Sequence, residues 1–564
     1  MKRSLGQVLF RYLPGALMYD DDAEVLAQVT QVDGQLDDVV DPRRLARAIS
    51  RQLNWWRDTG GGTLRGIDSP VEPQRLRPIR PAAVYWTPYP KEVICRRCQR
   101  VANLDDARFH GQCPECHIQT KQLGYVYIHH CGALNYLRPI EQVRCPAHGR
   151  RSLTLFDTGR FATSTWRCAD CAFERGLGIV PCGAGCETPQ ALKDAGLSHN
   201  LQGAVWNDPW VFFPQTAKFV NLDESRANLL VSTAQAVALA RRGAAGQIPA
   251  GGHTLMGMVN EAGPRCSSCG AALSTNAKFC AQCAAPVPPA ADIPPPPDEG
   301  VILDSSSDLV TFALLRDLPQ SRSLFADAGR VGQLRQREAV RELEGLGIAD
   351  VIHVADFPVT TGAFGYSRFL SQPPATLRGF ASNADVTTVY TDSKTTEAWL
   401  VRLNPSALVA WLGENDVTVS SGPTEADPFG WLSALIEDER YLTLLHSVSH
   451  AVVLVLSELA GLEEASLEEI LLPEVAAFAI YSSSSELGAL GAVYDQSIFA
   501  FADALPRGLE TCRFDPMCAE HEGSACVGCL QLVRGCERYN QFLSRAVLIT
   551  GGPLPATGYW SVPR

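Results

Sequence analysis

The chain has 564 residues, a formal net charge of −12 and an apolar share of 46%. At about 150 residues per domain this length exceeds a single core, and the composition excludes a fibrous or largely disordered protein. With no run of about 18 uninterrupted apolar residues and no signal segment, we expect a modular cytoplasmic protein that does not enter a membrane.

Charge is unevenly distributed along the chain. Residues 1–190 hold 25 Lys or Arg against 20 Asp or Glu, whereas residues 191–564 hold 24 against 41. The acidic total argues against a protein that coats nucleic acid along its whole length. Any surface that faces phosphates is therefore expected in the N-terminal third.

The N-terminal segment, residues 1–90, contains one clear helical stretch, DPRRLARAISRQLNWW. Asp41 is placed to cap this helix and Pro42 to occupy its first position. A region dense in cysteine follows at 91–190, where short apolar runs predict structure built around metal ions. Residues 191–260 join an aromatic segment to a helical stretch, DESRANLLVSTAQAVALARR.

The next segment, 261–285, is a compact cysteine module predicted to be a zinc ribbon. A proline-rich linker spans 286–300. Residues 301–564 are predicted to form an α/β domain, in which ADVIHVADFPVT and TEAWLVRLN are strands and YLTLLHSVSHAVVLVLSELAG is a helix. The fold class is thus mixed α/β and multidomain, with several zinc-ribbon-like modules before an α/β domain that ends in a cysteine cluster.

The 19 cysteines indicate metal ligands, because cytoplasmic thiols stay reduced. Structural zinc takes four ligands at tetrahedral corners, and two cysteines separated by two residues on a tight turn supply one edge. The pairs in CRRC and CPEC together make one site, and the pairs in CSSCG and CAQC make a second. The ligands are Cys95, Cys98, Cys113 and Cys116 in the first site, and Cys266, Cys269, Cys280 and Cys283 in the second.

Two more sites are predicted between these. The pair CADC and the wider CGAGC give one, and HHC with CPAH gives the other. On an extended strand His129 shares a face with Cys131, which favours it over His130, and interleaving of ligands between the two sites is the alternative. The predicted ligands are Cys168, Cys171, Cys182 and Cys186 in one site, and His129, Cys131, Cys145 and His148 in the other.

The last cluster offers five cysteines for four places. Cys526 and Cys529 form its central pair, Cys518 and Cys536 complete the site, and Cys512 is the surplus residue. The whole chain is then expected to bind about five structural Zn²⁺ ions. Sites closed by four protein ligands stabilise folds and leave no position for a substrate.

Familiar catalytic motifs are missing from the sequence. It has no GxxxxGK[ST] phosphate loop and no GxSxG elbow, and HEGSA lacks the second histidine of HExxH. His446 and His450 lie one helical turn apart, where packing and hydrogen bonding inside a helix bundle are the preferred explanation and a shared metal is the alternative. We expect a chain without enzymatic activity of its own.

The C-terminal motifs resemble a known family. GYSRFL, TEAWLVRL, LLHSVSH and CRFDPMC with ACVGCLQLVRGCERYNQFLSR follow, in this order, the zinc-binding C-terminal domain of MrfA-like helicases. The family's closing pattern is matched by Cys526, Cys529, Cys536, Glu537, Asn540, Leu543 and Arg545.

Two N-terminal motifs, LPGALMYD and YPKEVICRRCQRV, resemble the DrmB family, which carries this domain without a helicase as part of the DISARM anti-phage system. The resemblance covers 300–564 well and 1–190 loosely. It implies a DrmA-like helicase as the partner that supplies ATP hydrolysis, with DNA engaged through the complex and no membrane association. The alternatives are a metal-dependent nuclease or hydrolase using His446 and His450, and a stand-alone zinc-ribbon sensor of nucleic acid.

Overall fold

The structure is a computed structural model that describes most of the chain. The described residues are 5–59, 61–105, 111–113, 115–137, 143–149, 152–178, 180–183, 186, 199–262, 278–279, 282–286, 303–328, 334–383, 386–419, 422–424, 427–483, 488–509, 512–520, 525–549 and 557–561. Residues 287–300 of the predicted linker and three of the four ribbon cysteines lie outside these residues.

Strands are numbered in chain order. They are β1 Leu17–Asp20, β2 Val25–Leu36, β3 Thr63–Arg65, β4 Leu76–Pro88, β5 Glu92–Cys95, β6 Val101–Asn103, β7 Thr120–Gln122, β8 Tyr125–Ile128, β9 Leu134–Tyr136, β10 Leu153–Phe156, β11 Thr165–Cys168, β12 Glu174–Gly176, β13 Gln202–Val205, β14 Phe213–Val220, β15 Arg322–Ser323, β16 Ile348–Ser367, β17 Thr376–Gly379, β18 Ala381–Asn383, β19 Val386–Leu403, β20 Leu467–Leu472 and β21 Ala477–Ser482.

Helices are numbered in the same way. They are α1 Leu5–Arg11, α2 Pro42–Asn54, α3 Glu224–Val231, α4 Ala234–Ala244, α5 Thr254–Ala262, α6 Asp308–Arg316, α7 Leu324–Asp327, α8 Leu334–Gly345, α9 Pro405–Glu414, α10 Glu439–Ala460, α11 Ala489–Ala492, α12 Ile498–Arg507 and α13 Met517–Glu520. The mixed α/β fold predicted from the sequence is confirmed.

The chain divides into two compact units. The first contains Met1–Phe219 and Thr360–Ser393, and the second contains Val220–Val359 and Lys394–Arg564. The long strands β16 and β19 therefore contribute residues to both units. Residues 360–393, which the sequence grouped with 301–564, fall in the first unit.

In the first unit, β2 pairs with β1 and with β4 in antiparallel fashion, β4 pairs in parallel with the start of β19, and β17 pairs in parallel with β3. The cysteine-rich region adds three small sheets, in the orders β6-β5-β7, β13-β8-β9 and β10-β11-β12. Apolar side chains between these short strands, Trp166 and Leu155 among them, are fully buried. Each small sheet still has only three strands of three or four residues.

Helix α2 begins as the sequence predicts. The Asp41 carboxylate accepts the N–H of Arg43 at 2.9 Å and that of Arg44 at 3.5 Å, and Pro42 occupies the first turn. Leu45, Ile49 and Leu53 lie on the buried face of the helix. Trp56, which follows α2, is 1% exposed, and its indole N–H donates to the Ala375 carbonyl at 2.9 Å. Trp56 is therefore a core residue.

The second unit is built around α10. Asp438 caps its N-terminus by accepting the N–H of Tyr441, and Gly461 ends it in the left-handed conformation with φ 65°. The helix is long and apolar enough to span a bilayer, and 78% of its most apolar window is buried within the structure. A core helix of a globular unit meets the same criterion. The antiparallel hairpin β20–β21 packs against α10, and β21 pairs with β19.

The helical stretch expected from Asp223 is two helices. Helix α3 ends at Val231, and the Thr233 side chain accepts the N–H of Ala236 to cap α4. Thr233 has φ −140° and ψ 155°, an extended conformation that interrupts the helical hydrogen bonds.

We predict that Asp41→Ala weakens α2 by about 1–2 kcal/mol, because two N–H groups lose their acceptor. Hydrogen exchange of the α2 amides should then accelerate roughly tenfold. Asp41→Asn is the matched control, since it retains a side-chain oxygen and should cost less. Equal acceleration in both variants would assign the effect to the Asp41–Arg44 ion pair, at 3.4 Å, and contradict the capping account.

Candidate metal centres

Five groups of four side chains bring potential metal-ligand atoms together among the described residues. Within each group, these atoms all lie within 4.8 Å of one another. They are the Cys95 site (Cys95, Cys98, Cys113, Cys116), the Cys131 site (His129, Cys131, Cys182, Cys186), the Cys145 site (Cys145, His148, Cys168, Cys171), the Cys512 site (Cys512, Cys518, Cys526, Cys529) and the His446 cluster (His446, His450, Glu469, Cys536).

The spacing of the sulfur atoms fits zinc. Metal–ligand bonds of about 2.0–2.3 Å at tetrahedral angles place the ligands about 3.3–3.8 Å apart. In the Cys95 site, Cys95 Sγ lies 3.3 Å from Cys116 Sγ, and Cys98 Sγ lies 3.6 Å from Cys113 Sγ. These distances are far longer than the roughly 2.05 Å of a disulfide bond. The side chains present therefore fit a tetrahedral ion.

Two tight turns position the ligands of the Cys95 site. β5 ends at Cys95, and the N–H of Gln99 donates back to the Cys95 carbonyl at 3.1 Å. The second turn repeats this pattern, with the N–H of His117 donating to the Cys113 carbonyl at 2.9 Å. Gln99 and His117, each directly after the second cysteine of a pair, have φ of 57° and 55°. Each turn thereby aims both of its sulfur atoms at the same point.

The same backbone conformation follows two other ligand pairs. Gly149, directly after His148, has φ 69°, and Ala284, directly after Cys283, has φ 57°. Ala284 belongs to the predicted ribbon, of which Cys283 is the one described cysteine. Ala284 thus has the left-handed backbone conformation found directly after each cysteine pair of the Cys95 site.

Hydrogen bonds to sulfur prepare two of the thiols for ligation. Burial raises the pKa of the Cys95 thiol, but the N–H groups of Cys98 and Arg97 that point at its sulfur outweigh burial and lower the pKa to about 6. For Cys131, burial is outweighed by hydrogen bonding to His129, and the pKa again falls to about 6. Zinc binds the thiolate, so these contacts favour the ligating form.

The sequence-based grouping of the next eight ligands is wrong. It placed Cys168 and Cys171 with Cys182 and Cys186, whereas Cys182 Sγ lies 3.6 Å from Cys131 Sγ. The remaining cross-pairings are Cys186 Sγ with His129 Nδ1 at 3.4 Å, Cys171 Sγ with Cys145 Sγ at 3.4 Å and Cys168 Sγ with His148 Nδ1 at 3.5 Å. The two sites interleave, which was the alternative considered from the sequence.

Strand pairing explains the interleaving. The chain at Val180–Cys182 hydrogen-bonds to the segment that leads into β13, through Cys182 N–H to the His199 carbonyl and Leu201 N–H to the Val180 carbonyl. Because β13 pairs with β8, this brings Cys182 beside the turn that follows β8 and carries Cys131. The β10–β11 hairpin instead places Cys168 beside the Cys145 turn, where Ala169 N–H donates to the Ser152 carbonyl.

His129 provides the ligand atom in the Cys131 site, in agreement with the preference for it over His130. His130 is also buried, and burial together with the neighbouring rings of His129 and His199 lowers its pKa to about 4. Its ring is therefore neutral at physiological pH. The His130 carbonyl accepts the N–H of Thr376, which fixes the backbone of this turn.

The Cys512 site corrects a second prediction. Cys512, taken from the sequence as surplus, lies with its Sγ 3.4 Å from that of Cys526, and Cys518 Sγ lies 3.7 Å from Cys529 Sγ. The Asp515 carboxylate accepts the N–H of Cys512 at 2.8 Å, and Arg545 binds that carboxylate at 2.7 and 3.0 Å. This ion pair shapes the turn that brings Cys512 to the site.

Cys536 therefore does not belong to the Cys512 site. The N–H of Glu469 in β20 donates to the Gly535 carbonyl at 3.3 Å, and Cys536 Sγ lies 3.2 Å from His446 Nε2. His446 and His450 are both fully buried in the unit, and His450 Nδ1 lies 2.7 Å from the Leu530 carbonyl. Glu469 was missed because nothing in the spacing of LEEILL connects it to α10.

We predict that Cys182→Ser opens the Cys131 site alone. Zinc should fall by one per chain, and alkylation followed by mass spectrometry should find Cys131 and Cys186 newly reactive, because their ion is lost. Cys168→Ser is the matched control and should expose Cys145 and Cys171 instead. Newly reactive Cys168 and Cys171 in Cys182→Ser would restore the sequence-based grouping.

Comparisons with known families find two matches. Residues 4–211 match a domain of unknown function, DUF8724, and residues 265–287 match a zinc-ribbon domain. No curated protein matches the chain. The ribbon match contains Cys266, Cys269, Cys280 and Cys283, the four ligands expected from the sequence. The chain is thus a mixed α/β multidomain protein with a zinc-ribbon domain and further Cys and His groups suited to zinc.

Proposed function

We propose that this chain is a non-catalytic, zinc-scaffolded partner of a DrmA-type helicase in a DISARM-like anti-phage system, and that it helps the complex engage invading DNA. ATP hydrolysis comes from the helicase, because this sequence contains no phosphate-binding loop. The main support for this proposal is that each thiol-rich ligand group already supplies four protein ligands, so that no coordination position is left open.

Each of the four sites with three or four thiol ligands has four protein ligands, which completes the tetrahedral coordination of zinc. No position remains for a substrate or an activated water. The alternative hydrolase would act through His446 and His450, and both side chains are 0% exposed. A DNA phosphate cannot reach a metal held between them without opening the core. This arrangement favours a scaffold over a nuclease.

The residues that carry the family resemblance also build the C-terminal module. Asn540 accepts the N–H of Leu532 at 2.9 Å and donates to its carbonyl at 2.8 Å. Glu537 accepts the N–H of Leu471 at 2.8 Å, and Arg545 holds Asp515. The pattern matched in the sequence is therefore a set of hydrogen bonds that fold one segment. These contacts support a structural basis for the family resemblance. The proposed partnership with a helicase rests on that resemblance.

The Cys95 site offers a surface for phosphates. Arg96 and Arg97 lie between its first two ligands, and both are exposed at the tip of the turn. They belong to the part of the chain in which basic residues exceed acidic ones. A metal ion at this site fixes the backbone that carries both arginines, and phosphate contacts need guanidinium groups without any particular base sequence.

We predict that Arg96→Glu with Arg97→Glu weakens DNA binding by the complex with the helicase. The slope of log K against log salt should become shallower by about 1 for each arginine that contacts a phosphate. The measurement is DNA affinity at several salt concentrations. Arg335→Glu with Arg341→Glu, on the exposed face of α8, carries the same charge change and should leave the slope unaltered.

Three outcomes would contradict the proposal. Unchanged affinity in the Arg96 and Arg97 variant would remove the phosphate surface from this turn. Failure to co-purify with a DrmA-type helicase, together with DNA binding by the chain alone, would favour the stand-alone sensor. Cleavage of DNA by the chain alone with Mg²⁺ or Mn²⁺, lost in a folded His446→Ala, His450→Ala variant, would favour the hydrolase.

A further inference from the structure

We infer that His446, His450, Glu469 and Cys536 bind a transition-metal ion, with zinc the best match, at a closed site separate from the Cys512 site. Two imidazoles, a carboxylate and a thiol are ligand types that zinc accepts together. His446 Nε2 lies 3.0 Å from Glu469 Oε1 and 3.2 Å from Cys536 Sγ, and His450 Nε2 lies 3.2 Å from Glu469 Oε1. The inference does not depend on the proposed helicase partner.

The hydrogen bonding of His450 calls for a cation beside Glu469. His450 Nδ1 lies 2.7 Å from the Leu530 carbonyl, which can only accept, so Nδ1 carries the hydrogen. In a neutral ring Nε2 then presents a lone pair, and it faces a carboxylate oxygen at 3.2 Å. A metal ion between the two acceptors satisfies both. Donation of the other ring N–H to a backbone carbonyl is also how ligating histidines are oriented.

Cys536 has the local geometry of the cysteines in the other sites. Its Sγ accepts the N–H of Arg538, two residues on, at 3.3 Å. The same contact to the second residue after the cysteine occurs at Cys95, Cys168, Cys512 and Cys526, at 3.3–3.4 Å. Asn540 N–H adds a second contact to Cys536 at 3.1 Å. These two N–H donors fix the position of the sulfur beside His446 Nε2.

Glu469 is held for ligation from two sides. Ser449 of α10 donates its hydroxyl to Oε2, which leaves Oε1 directed at the two histidines. The N–H of Glu537, next to Cys536 in sequence, donates to Oε1 at 3.1 Å. His446, His450 and Glu469 are each 0% exposed. An ion here is held by four protein ligands and shielded from solvent, which is the arrangement of a structural site.

The site lies where three parts of the second unit meet, so a metal ion there would link them. It joins α10, strand β20 and the segment 525–549, which also carries two ligands of the Cys512 site. The segment is bonded to the unit on both sides of Cys536, through Val533 N–H to Glu464 and Ser544 N–H to Ser447. A metal at Cys536 thus fastens this segment to the core helix independently of the Cys512 site.

The test is zinc content of the purified full-length chain, measured under native conditions. Cys536→Ser is expected to lose one zinc per chain while Cys512, Cys518, Cys526 and Cys529 stay protected from alkylation. His353→Gln is the matched control, because His353 Nε2 lies 3.4 Å from Glu397 in the same unit and His353 belongs to none of the five groups, so this variant should lose no zinc. An unchanged zinc content in Cys536→Ser would overturn the inference.

A second measurement needs no substitution and decides the question if Cys536→Ser does not fold. The unaltered chain is loaded with ¹¹³Cd²⁺, whose resonance moves strongly upfield as thiolate ligands are replaced by nitrogen and oxygen. We expect one resonance far upfield of those from ions with three or four thiolates. Its absence from a fully loaded chain, with the other resonances present, would show that the His446 cluster binds no metal.

Discussion

Four side chains that converge on one ion can tie together turns that lie far apart in the sequence. The three small sheets of the cysteine-rich region contain strands of only three or four residues, and so short a strand buries too little surface to fold alone. Ligation couples folding to metal binding, because the ligands meet only in the folded chain. The turn with the exposed Arg96 and Arg97 belongs to the Cys95 site, and the segment 525–549 supplies side chains to both the Cys512 site and the His446 cluster.

What the sequence predicts well is local. Asp41 and Pro42 sit at the start of α2 as predicted, because caps depend on neighbours within a few residues. Cysteine pairs separated by two residues also identify ligands reliably, because both cysteines of a pair lie on one tight turn. Which pairs share an ion depends on strand pairing between distant segments. The partners of Cys131 are set by the contact of β13 with β8, about 75 residues apart, and local spacing carries no trace of it.

The C-terminal unit shows the same limit. Cys536 follows the Cys526 pair closely, so spacing assigned it to their site, but the backbone of its turn runs beside β20 and directs the sulfur to α10. Glu469 lies on β20, a strand that is almost wholly buried. An acidic residue at an inward position of an apolar strand is unusual, and this was the one signal for it in the sequence. Rules based on cysteine spacing cannot find such a cluster, because Glu469 and the two histidines are close in space and distant in sequence.

These groups together account for every cysteine and make the number of bound ions the most direct test. The five described groups and the zinc ribbon give six candidate sites, one more than the five expected from the sequence, because Cys536 lies in a group of its own with His446, His450 and Glu469. The mass of the intact chain under native conditions, compared with its mass in denaturing acid, should differ by six zinc ions, and all 19 cysteines should resist alkylation until the metal is removed. Two or fewer ions in a folded chain, or freely reactive cysteines in the Cys95 and Cys512 sites, would contradict the metal-built architecture.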